Sequence, residues 1–137
     1  QRPLILIGNG TGLAGLRSHL RARAAKGRHD NWLVFGERSS QHDFLYRTEI
    51  EAWQAAGVLR RLDMVFSRDQ RDRLYVQHRL LQKTEEVRSW IDRGAAIYVC
   101  GSLQGMAPGV DAALRQIAGE ALMRELTLGG RYRRDVY

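Results

Sequence analysis

A short apolar run that ends in glycines constrains the fold of this chain more than any other feature. Leu4-Ile5-Leu6-Ile7 suits a strand that is buried on both faces of a parallel sheet. It leads into Gly8-Asn9-Gly10-Thr11-Gly12, whose glycines allow a sharp turn and a close approach of the backbone to a ligand. A helical pattern follows, and the free N–H groups at a helix start favour an anion. The stretch therefore predicts a phosphate-binding turn between a strand and a helix.

The same glycines also match a literal G-x-G-x-x-G through Gly10, Gly12 and Gly15. By itself this pattern fits a nucleotide site and a plain tight connection about equally well. The residues of the turn leave both interpretations open.

The rest of the chain alternates between strand and helix patterns. Strands are predicted at residues 32–35, 58–66 and 95–101. Helical spacing follows each of them, with one helical region predicted from Tyr75 to Ile91 and one helix from Val110 to Leu126. This alternation predicts right-handed βαβ units and hence an α/β fold, a doubly wound parallel sheet of about five strands in the order 3-2-1-4-5, with helices on both faces.

Composition narrows the class of protein further. The chain has 137 residues, of which 44% are hydrophobic and 27% charged, as in an ordinary globular domain. Its apolar runs are too short for a membrane-spanning helix. Because it begins with Gln1-Arg2-Pro3 and enters a buried strand almost at once, we expect residues 1–137 to be one domain of a longer protein. The single cysteine, Cys100, favours a reducing, cytoplasmic compartment.

The net charge of +7 favours anionic partners. Nucleotide phosphates, nucleic acid and an acidic protein surface all fit this charge. The chain has no long basic run, zinc spacing or RNA-binding aromatic pattern, so charge is the only argument for a nucleic-acid module. The four histidines are scattered, and neither a metal cluster nor a Ser/His/Asp set is indicated.

Seven motifs in a fixed order make a more specific pattern. They are Gly8-Asn9-Gly10-Thr11-Gly12, Phe35-Gly36-Glu37-Arg38, Asp43-Phe44-Leu45-Tyr46-Arg47, Ser67-Arg68-Asp69, Tyr75-Val76-Gln77-His78, Tyr98-Val99-Cys100-Gly101 and Arg131-Tyr132 with Asp135-Val136-Tyr137. In this order they resemble the ferredoxin–NADP reductase superfamily, in its diflavin branch, which includes cytochrome P450 reductase, nitric oxide synthase reductase domains and, most similar here, the sulfite reductase flavoproteins.

The resemblance covers essentially the whole chain and implies a Rossmann-like NADP(H)-binding domain at the carboxyl end of a flavoprotein. Such a domain binds NADPH and presents it to FAD, which is held mainly by an FAD-binding domain that precedes it in the parent chain. The electron acceptor, and any FMN domain or membrane anchor that the parent carries, are determined by domains and partners outside these residues. We expect no activity from this domain alone.

The resemblance assigns the 2′-phosphate of NADPH to Ser67 and Arg68, with Arg73 beside them. Tyr75 would lie beside the adenine and Gln77 would assist there. Cations and hydroxyl donors are what a 2′-phosphate requires. Without the resemblance, the pattern around position 70 indicates a solvent-exposed surface on which neighbouring aspartates balance the charge of the arginines.

At the pyrophosphate and nicotinamide edge, the resemblance implies Gly10, Thr11, Gly12 and Arg38. Each of the two side chains also has a simpler interpretation. Thr11 suits a helix N-cap, and Arg38 suits a surface ion pair with a neighbouring carboxylate.

Near the hydride path the resemblance implies Cys100, Gly101 and Asp135, with Tyr137 stacked on the flavin ring. Cys100 would shape hydride transfer without acting as a nucleophile, whereas by itself it reads as a small buried hydrophobe. An aromatic residue at a chain terminus otherwise suggests a frayed tail. With no flavin ring to cover, we expect the tail that carries Tyr137 to be mobile.

Three positions depart from the family pattern. Gly15 and Leu16 stand where proline and phenylalanine are common, and Ser102 stands where an acid is usual. We expect a looser first turn and a less filled nicotinamide edge. The remaining alternatives are a related FAD reductase that prefers NADH and a non-enzymatic basic module that binds anions or nucleic acid.

Overall fold

A computed structural model describes residues 2–9, 13–37, 44–66, 74–101 and 106–136. The strands are β1 (Leu4–Asn9), β2 (Asn31–Glu37), β3 (Leu59–Phe66), β4 (Ala96–Gly101) and β5 (Tyr132–Val136). The helices are α1 (Leu13–Ala25), α2 (Phe44–Ala55), α3 (Val76–Gln82), α4 (Thr84–Asp92), α5 (Met106–Ala118) and α6 (Glu120–Leu128).

The five strands form one sheet in the order β3-β2-β1-β4-β5, and every neighbouring pair is parallel. The α/β class, the parallel sheet and the predicted order 3-2-1-4-5 are therefore confirmed. β1 lies at the centre, where Leu4 is level with Asn31 of β2 and with Ala96 of β4. Because β2 and β4 lie on opposite sides of β1, the strand order reverses between β1 and β4.

Each face of the sheet has its own hydrophobic core. Ile5 and Ile7 of β1 belong to the core that is closed by α3, α4, α5 and α6. Leu6 belongs to the core on the opposite face, together with Leu16 of α1 and Ile50 of α2. All three β1 side chains are fully buried. The opening run is thus a strand buried on both faces, as its unbroken apolar pattern predicts.

Two predicted helical regions are each split into a pair of helices. α3 ends and α4 begins around Lys83, where the Thr84 hydroxyl donates to the Leu81 carbonyl at 2.6 Å. α5 and α6 are separated by Gly119, whose φ of +90° is outside the helical region. The apolar spacing continues across both breaks, so the periodicity predicted one continuous helical region in each place.

The last described residues form the edge strand β5 and are not a mobile tail. Arg131 leads into β5, and its carbonyl accepts a hydrogen bond from the Ile97 N–H at 2.6 Å. Asp135 is level with Cys100 of β4. The expectation of a mobile end is therefore wrong for residues 132–136, while Tyr137 lies outside the described residues.

Candidate functional site

The carboxyl ends of β1, β4 and β5 form the edge at which a ligand site is expected. In open parallel sheets, ligands bind outside these ends, where the strand order reverses. Here the reversal lies between β1 and β4, with Gly8 level with Cys100. We call this edge the carboxyl crevice, defined by Gly8, Asn9, Cys100, Gly101 and the first turn of α1.

Glycines at the crevice are required for packing within the protein. A Cβ added to Gly8 would lie 2.8 Å from the Cys100 carbonyl oxygen and 2.5 Å from Leu16 Cδ1. A Cβ added to Gly101 would lie 2.8 Å from Met106 Cε. Gly8 is buried within β1 and does not adopt a positive φ. Gly8 therefore allows β4 and α1 to pack closely against β1, in addition to allowing any close approach of a ligand.

Gly15 brings the first turn of α1 onto Cys100. A Cβ at position 15 would lie only 2.6 Å from Cys100 Sγ, so no larger residue fits there unless the sulfur atom moves. Leu16 is 1% exposed and packs in the core, so it does not leave an open space at the edge. At these two positions the crevice is closely packed, in contrast to the expected looser and less filled edge.

Cys100 is itself 1% exposed, and it belongs to the core on the α1 side. Its contact with Gly15 places the thiol under the start of α1. In this position the side chain supports the floor of the crevice. A buried thiol of this kind is suited to packing rather than to nucleophilic chemistry.

Asp135 lies next to Cys100 on the same side of the sheet. The Tyr98 hydroxyl donates to Asp135 Oδ2 at 3.1 Å, and that oxygen would be 3.9 Å from a Cβ at Gly15. The Tyr98 ring in turn packs against the His19 ring, with a centroid distance of 4.0 Å. Tyr98 thus connects α1 to the carboxylate of β5.

His19 has a pKa below its ordinary value, and burial is the main cause. The positive charge of Arg133 lowers the pKa further, while the Asp135 carboxylate opposes this effect. The neutral imidazole is therefore favoured beside Tyr98.

The predicted adenine residues lie on the opposite face of the sheet, at the start of α3. Tyr75 is 41% exposed, and its backbone N–H donates to His78 Nδ1 at 3.0 Å. Gln77 packs on Gly109 of α5, where a Cβ would lie 2.9 Å from Gln77 Nε2. The Oε1 atom of Gln77 is buried and accepts no hydrogen bond from any residue that the structure describes.

The structure thus brings Cys100, Gly101 and Asp135 to one edge of the sheet and places Tyr75 and Gln77 at the start of α3. Eight other predicted site residues lie outside the described residues, namely Gly10, Thr11, Gly12, Arg38, Ser67, Arg68, Arg73 and Tyr137. Four of them directly follow the last residue of a described strand in the sequence: Gly10 after β1, Arg38 after β2, Ser67 after β3 and Tyr137 after β5.

Asn9 and Tyr98 were not predicted as site residues from the sequence. The Oδ1 atom of Asn9 would lie 3.2 Å from a Cβ at Gly101, and Asn9 Cβ would lie 3.9 Å from one at Gly36. Asn9 therefore lies across the ends of three neighbouring strands. Its place directly after the buried run was a signal for this position, whereas nothing in the sequence pairs Tyr98 with Asp135.

The described residues contain neither a metal-binding cluster nor a membrane-spanning helix. Within residues 2–9, 13–37, 44–66, 74–101 and 106–136, no three His, Cys, Asp or Glu side chains are grouped so that they could hold a metal ion. Over the same ranges, no helix has the length and apolar character that crossing a bilayer requires.

Known proteins are similar to this chain over most or all of its length. The family model described as "Oxidoreductase NAD-binding domain" matches residues 6–112. The sulfite reductase (NADPH) flavoprotein alpha-component of Vibrio cholerae is 44% identical over 146 residues, which cover 98% of this chain and 24% of the relative. The protein of the same name from Salmonella typhimurium is 41% identical and covers 100% of this chain, and that from Photobacterium profundum is 40% identical.

The chain spans about a quarter of the length of the curated relatives it matches. The resemblance to the flavoprotein reductases, which the ordered motifs predicted, is confirmed by these relatives. The matched residues 6–112 run from β1 into α5 and include both strands that border the carboxyl crevice, β1 and β4. The chain therefore belongs to the oxidoreductase NAD-binding domain family.

Proposed function

We propose that this domain binds NADPH along the carboxyl crevice and presents its nicotinamide to an FAD held by another domain of the parent protein. The parent would be an NADPH-dependent flavoprotein reductase similar to the sulfite reductase flavoproteins. The observation that carries the proposal is the meeting of Cys100, Gly101 and Asp135 where the strand order reverses. The names of the relatives support NADPH as the nucleotide.

The described residues fit a nucleotide in two respects. Gln77 Oε1 is a buried acceptor for which the described residues provide no donor, so it is available to an N–H group of an adenine. The exposed Tyr75 ring, two residues earlier, offers a stacking surface beside it. Both lie at the start of α3, between β3 and β4 in the chain.

When bound, NADPH supplies a hydride to the flavin, and the protein supplies binding and orientation. The close contact of Gly15 with Cys100 sets the floor on which the nicotinamide would rest. Asp135, held by the Tyr98 hydroxyl, would place a negative charge beside the nicotinamide. Tyr137 would cover the flavin ring until the nicotinamide enters. Gly10, Thr11, Gly12 and Arg38 would contact the pyrophosphate and nicotinamide side.

The 2′-phosphate would be bound by Ser67, Arg68 and Arg73. A charge-assisted hydrogen bond is worth about 1.5–3 kcal/mol, so loss of Arg68 should weaken binding of the phosphorylated nucleotide roughly tenfold to a hundredfold. We place the parent in the cytoplasm, because its single cysteine in this domain suits a reducing compartment. Its electron acceptor would be a further domain or a separate protein.

Calorimetric titration of the 137-residue chain with NADP⁺ and NAD⁺ tests the nucleotide assignment. We expect clear preference for NADP⁺, which Arg68→Ala should remove while leaving binding of NAD⁺ unchanged. The matched control is Arg124→Ala, which removes the same charge from the exposed face of α6. Equal affinity for the two nucleotides, or no effect of Arg68→Ala, would contradict the 2′-phosphate assignment.

The flavin contact requires the full-length parent. There, Tyr137→Ala should change the flavin absorbance spectrum and the selectivity between NADPH and NADH. An unchanged spectrum together with unchanged kinetics would rule out stacking of Tyr137 on the flavin.

A further inference from the structure

A second concave surface lies away from the carboxyl crevice. It is a cleft of about 320 Å³ between α1, the amino ends of β1 and β4, and β5. Leu4 and Ala96, the first residues of β1 and β4, line it, whereas Cys100 and Gly101 do not. The cleft therefore lies towards the opposite end of the strands from the proposed nucleotide site. We call it the amino-end cleft.

Basic side chains surround the amino-end cleft. Its basic lining residues are Arg2, His19, Arg23, Lys26, Arg28 and Arg133, and no carboxylate from the described part of the chain lines it. Like charges gathered around one concavity repel each other and raise the local concentration of anions. The net charge of +7 is therefore unevenly distributed, with a positive centre at this cleft.

Most of these cations are available to a ligand. Arg2, Lys26, Arg28 and Arg133 form no ion pair with any of the residues that the structure describes. Arg23 has a structural role, because its guanidinium donates to Asn31 Oδ1 and to the Arg2 carbonyl.

Two carboxylates whose charge acts on lining residues of the cleft, Asp30 and Asp135, are already engaged. Asp30 pairs with Arg60 and Arg93, which lie outside the cleft lining. Asp135 accepts the hydrogen bond of the Tyr98 hydroxyl. Neither carboxylate is among the lining residues, so the positive charge of the cleft is not neutralised from within.

Burial and neighbouring positive charge both lower the pKa values of two lining residues, Arg23 and His19. Burial, followed by the charge of Arg28, lowers the pKa of Arg23 below its ordinary value. Burial, followed by the charge of Arg133, does the same to the pKa of His19. Nearby carboxylates oppose both shifts without reversing them.

The inner wall of the cleft is apolar. Leu4, Ala22, Ala96 and Ile97 contribute to it, together with the Tyr98 ring, which packs on His19. An apolar wall with cations at its rim suits a compact organic anion better than a flat polyanion. Charged groups of the ligand would reach the arginines while its uncharged part lies on the wall.

We propose that the amino-end cleft binds a small phosphate-bearing anion, in a site separate from the nucleotide crevice. Arg28, Arg133 and Lys26 bind the phosphate groups, and the Tyr98 side chain forms the wall beneath the rest of the ligand. A diphosphate or a phosphate ester has the required charge and size. Arginine suits this role because its planar guanidinium makes paired hydrogen bonds to phosphate oxygens.

The test is an NMR titration of the ¹⁵N-labelled chain with inorganic pyrophosphate at physiological salt. We expect shifts confined to residues around the cleft, in particular the amides of Tyr98, Arg28 and Arg133. Arg133→Ala and Arg28→Ala should each weaken binding about threefold to tenfold, on the order expected for one exposed charge contact. Arg124→Ala removes an equal charge outside the cleft and should leave binding unchanged.

Two further titrations identify the source of the phosphate. If adenosine monophosphate binds more tightly than pyrophosphate, and adenosine does not bind, the ligand is a phosphate ester that uses the apolar wall. If pyrophosphate binds more tightly, the ligand is an inorganic phosphate. If all three arginine variants weaken pyrophosphate binding equally, the binding is a general attraction by net charge. If the NMR shifts are confined to Asn9 and Gly101, pyrophosphate binds in the carboxyl crevice. Either result would overturn the proposal.

The proposal does not depend on the nucleotide assignment. Arg68→Ala should leave pyrophosphate binding in the amino-end cleft unchanged, while Arg133→Ala should leave the preference for NADP⁺ unchanged. Failure of one site is therefore distinguishable from failure of the other. Circular dichroism of each variant checks that the fold is retained.

Discussion

Gly15 and Cys100 are in such close contact that a Cβ on Gly15 would lie 2.6 Å from the cysteine sulfur. The contact joins the first turn of α1 to the end of β4, two elements far apart in the chain. It explains why a glycine is accommodated inside a helix, where it is normally unfavourable by about 0.5–1 kcal/mol relative to alanine. At this position the missing side chain allows the helix to approach the sheet.

Gly15→Ala should destabilise the domain by about 1–3 kcal/mol, because overpacking at Cys100 exceeds the gain in helix propensity. Urea denaturation measures the change in the free energy of unfolding. In a Cys100→Ala background the same substitution should be tolerated, since the sulfur atom that obstructs it is gone. A stabilising Gly15→Ala in the unmodified chain would mean that the sulfur atom moves aside easily. Ser18→Ala, at an exposed position of α1, is the matched control and should be nearly neutral.

Asp63 should make the stability of the domain sensitive to acid. It is 7% exposed and accepts hydrogen bonds from Trp32 Nε1 at 2.8 Å and from Arg61 and Arg79. Burial opposes ionisation of Asp63, but these hydrogen bonds lower its pKa below the ordinary value. The Asp63 carboxylate therefore binds a proton more readily in the unfolded chain than in the folded one. Its contribution to the free energy of unfolding is fully present above the unfolded pKa of about 3.9. This contribution is lost as the pH falls through the lower pKa of the folded state.

Denaturation of Asp63→Asn as a function of pH tests this contribution. At neutral pH we expect a loss of about 1–3 kcal/mol, since the charge that Arg61 and Arg79 contact is removed. The difference from the unmodified chain should shrink as the solution is acidified. Asp92→Asn, at an exposed position near the end of α4, should be neutral or slightly stabilising. A pH-independent difference for Asp63→Asn would contradict the assignment.

Tyr132 should remain protonated well above the pH at which an ordinary phenol titrates. Its hydroxyl donates to Asp111 Oδ1 at 2.7 Å, and the residue is 7% exposed. Burial, together with the hydrogen bond to Asp111, raises the pKa of Tyr132 above its ordinary value of 10.0. The associated stabilisation is present below that value and is lost as the pH rises through the folded pKa.

Spectrophotometric titration in alkali should show a phenol that ionises late, as the raised pKa of Tyr132 requires. Tyr132→Phe should remove this late phase and destabilise the domain by about 0.5–1.5 kcal/mol, the usual net worth of a hydrogen bond. If the late phase survives in Tyr132→Phe, it belongs to another tyrosine.

Much of the architecture could be predicted from local patterns. The unbroken apolar run of β1 indicates a strand buried on both faces, and the alternation of strands and helices indicates a parallel sheet. The breaks at Lys83 and Gly119 were missed, because apolar spacing is continuous across them. The strand β5 was missed as a strand because Arg133, Arg134 and Asp135 are polar, which is acceptable only at the edge of a sheet.

The candidate site was predictable where a motif is local. Cys100-Gly101 was recognised as a strand end, and β4 does end at Gly101. The contacts of Gly15 with Cys100 and of Tyr98 with Asp135 were not predictable, since they join residues far apart in the chain. No periodicity encodes such distances.

By itself the sequence determined the class of fold, the order of the strands and the family of the domain. These depend on the period of hydrophobic residues and on short motifs, both of which are local features of the sequence. The tertiary structure decided why Gly8 and Gly15 are glycines and which residue holds Asp135. It also decided that cations from the chain before β1, the segment after α1 and β5 converge on one cleft. Each of these depends on the distance between elements, which is set only when the helices pack on the sheet.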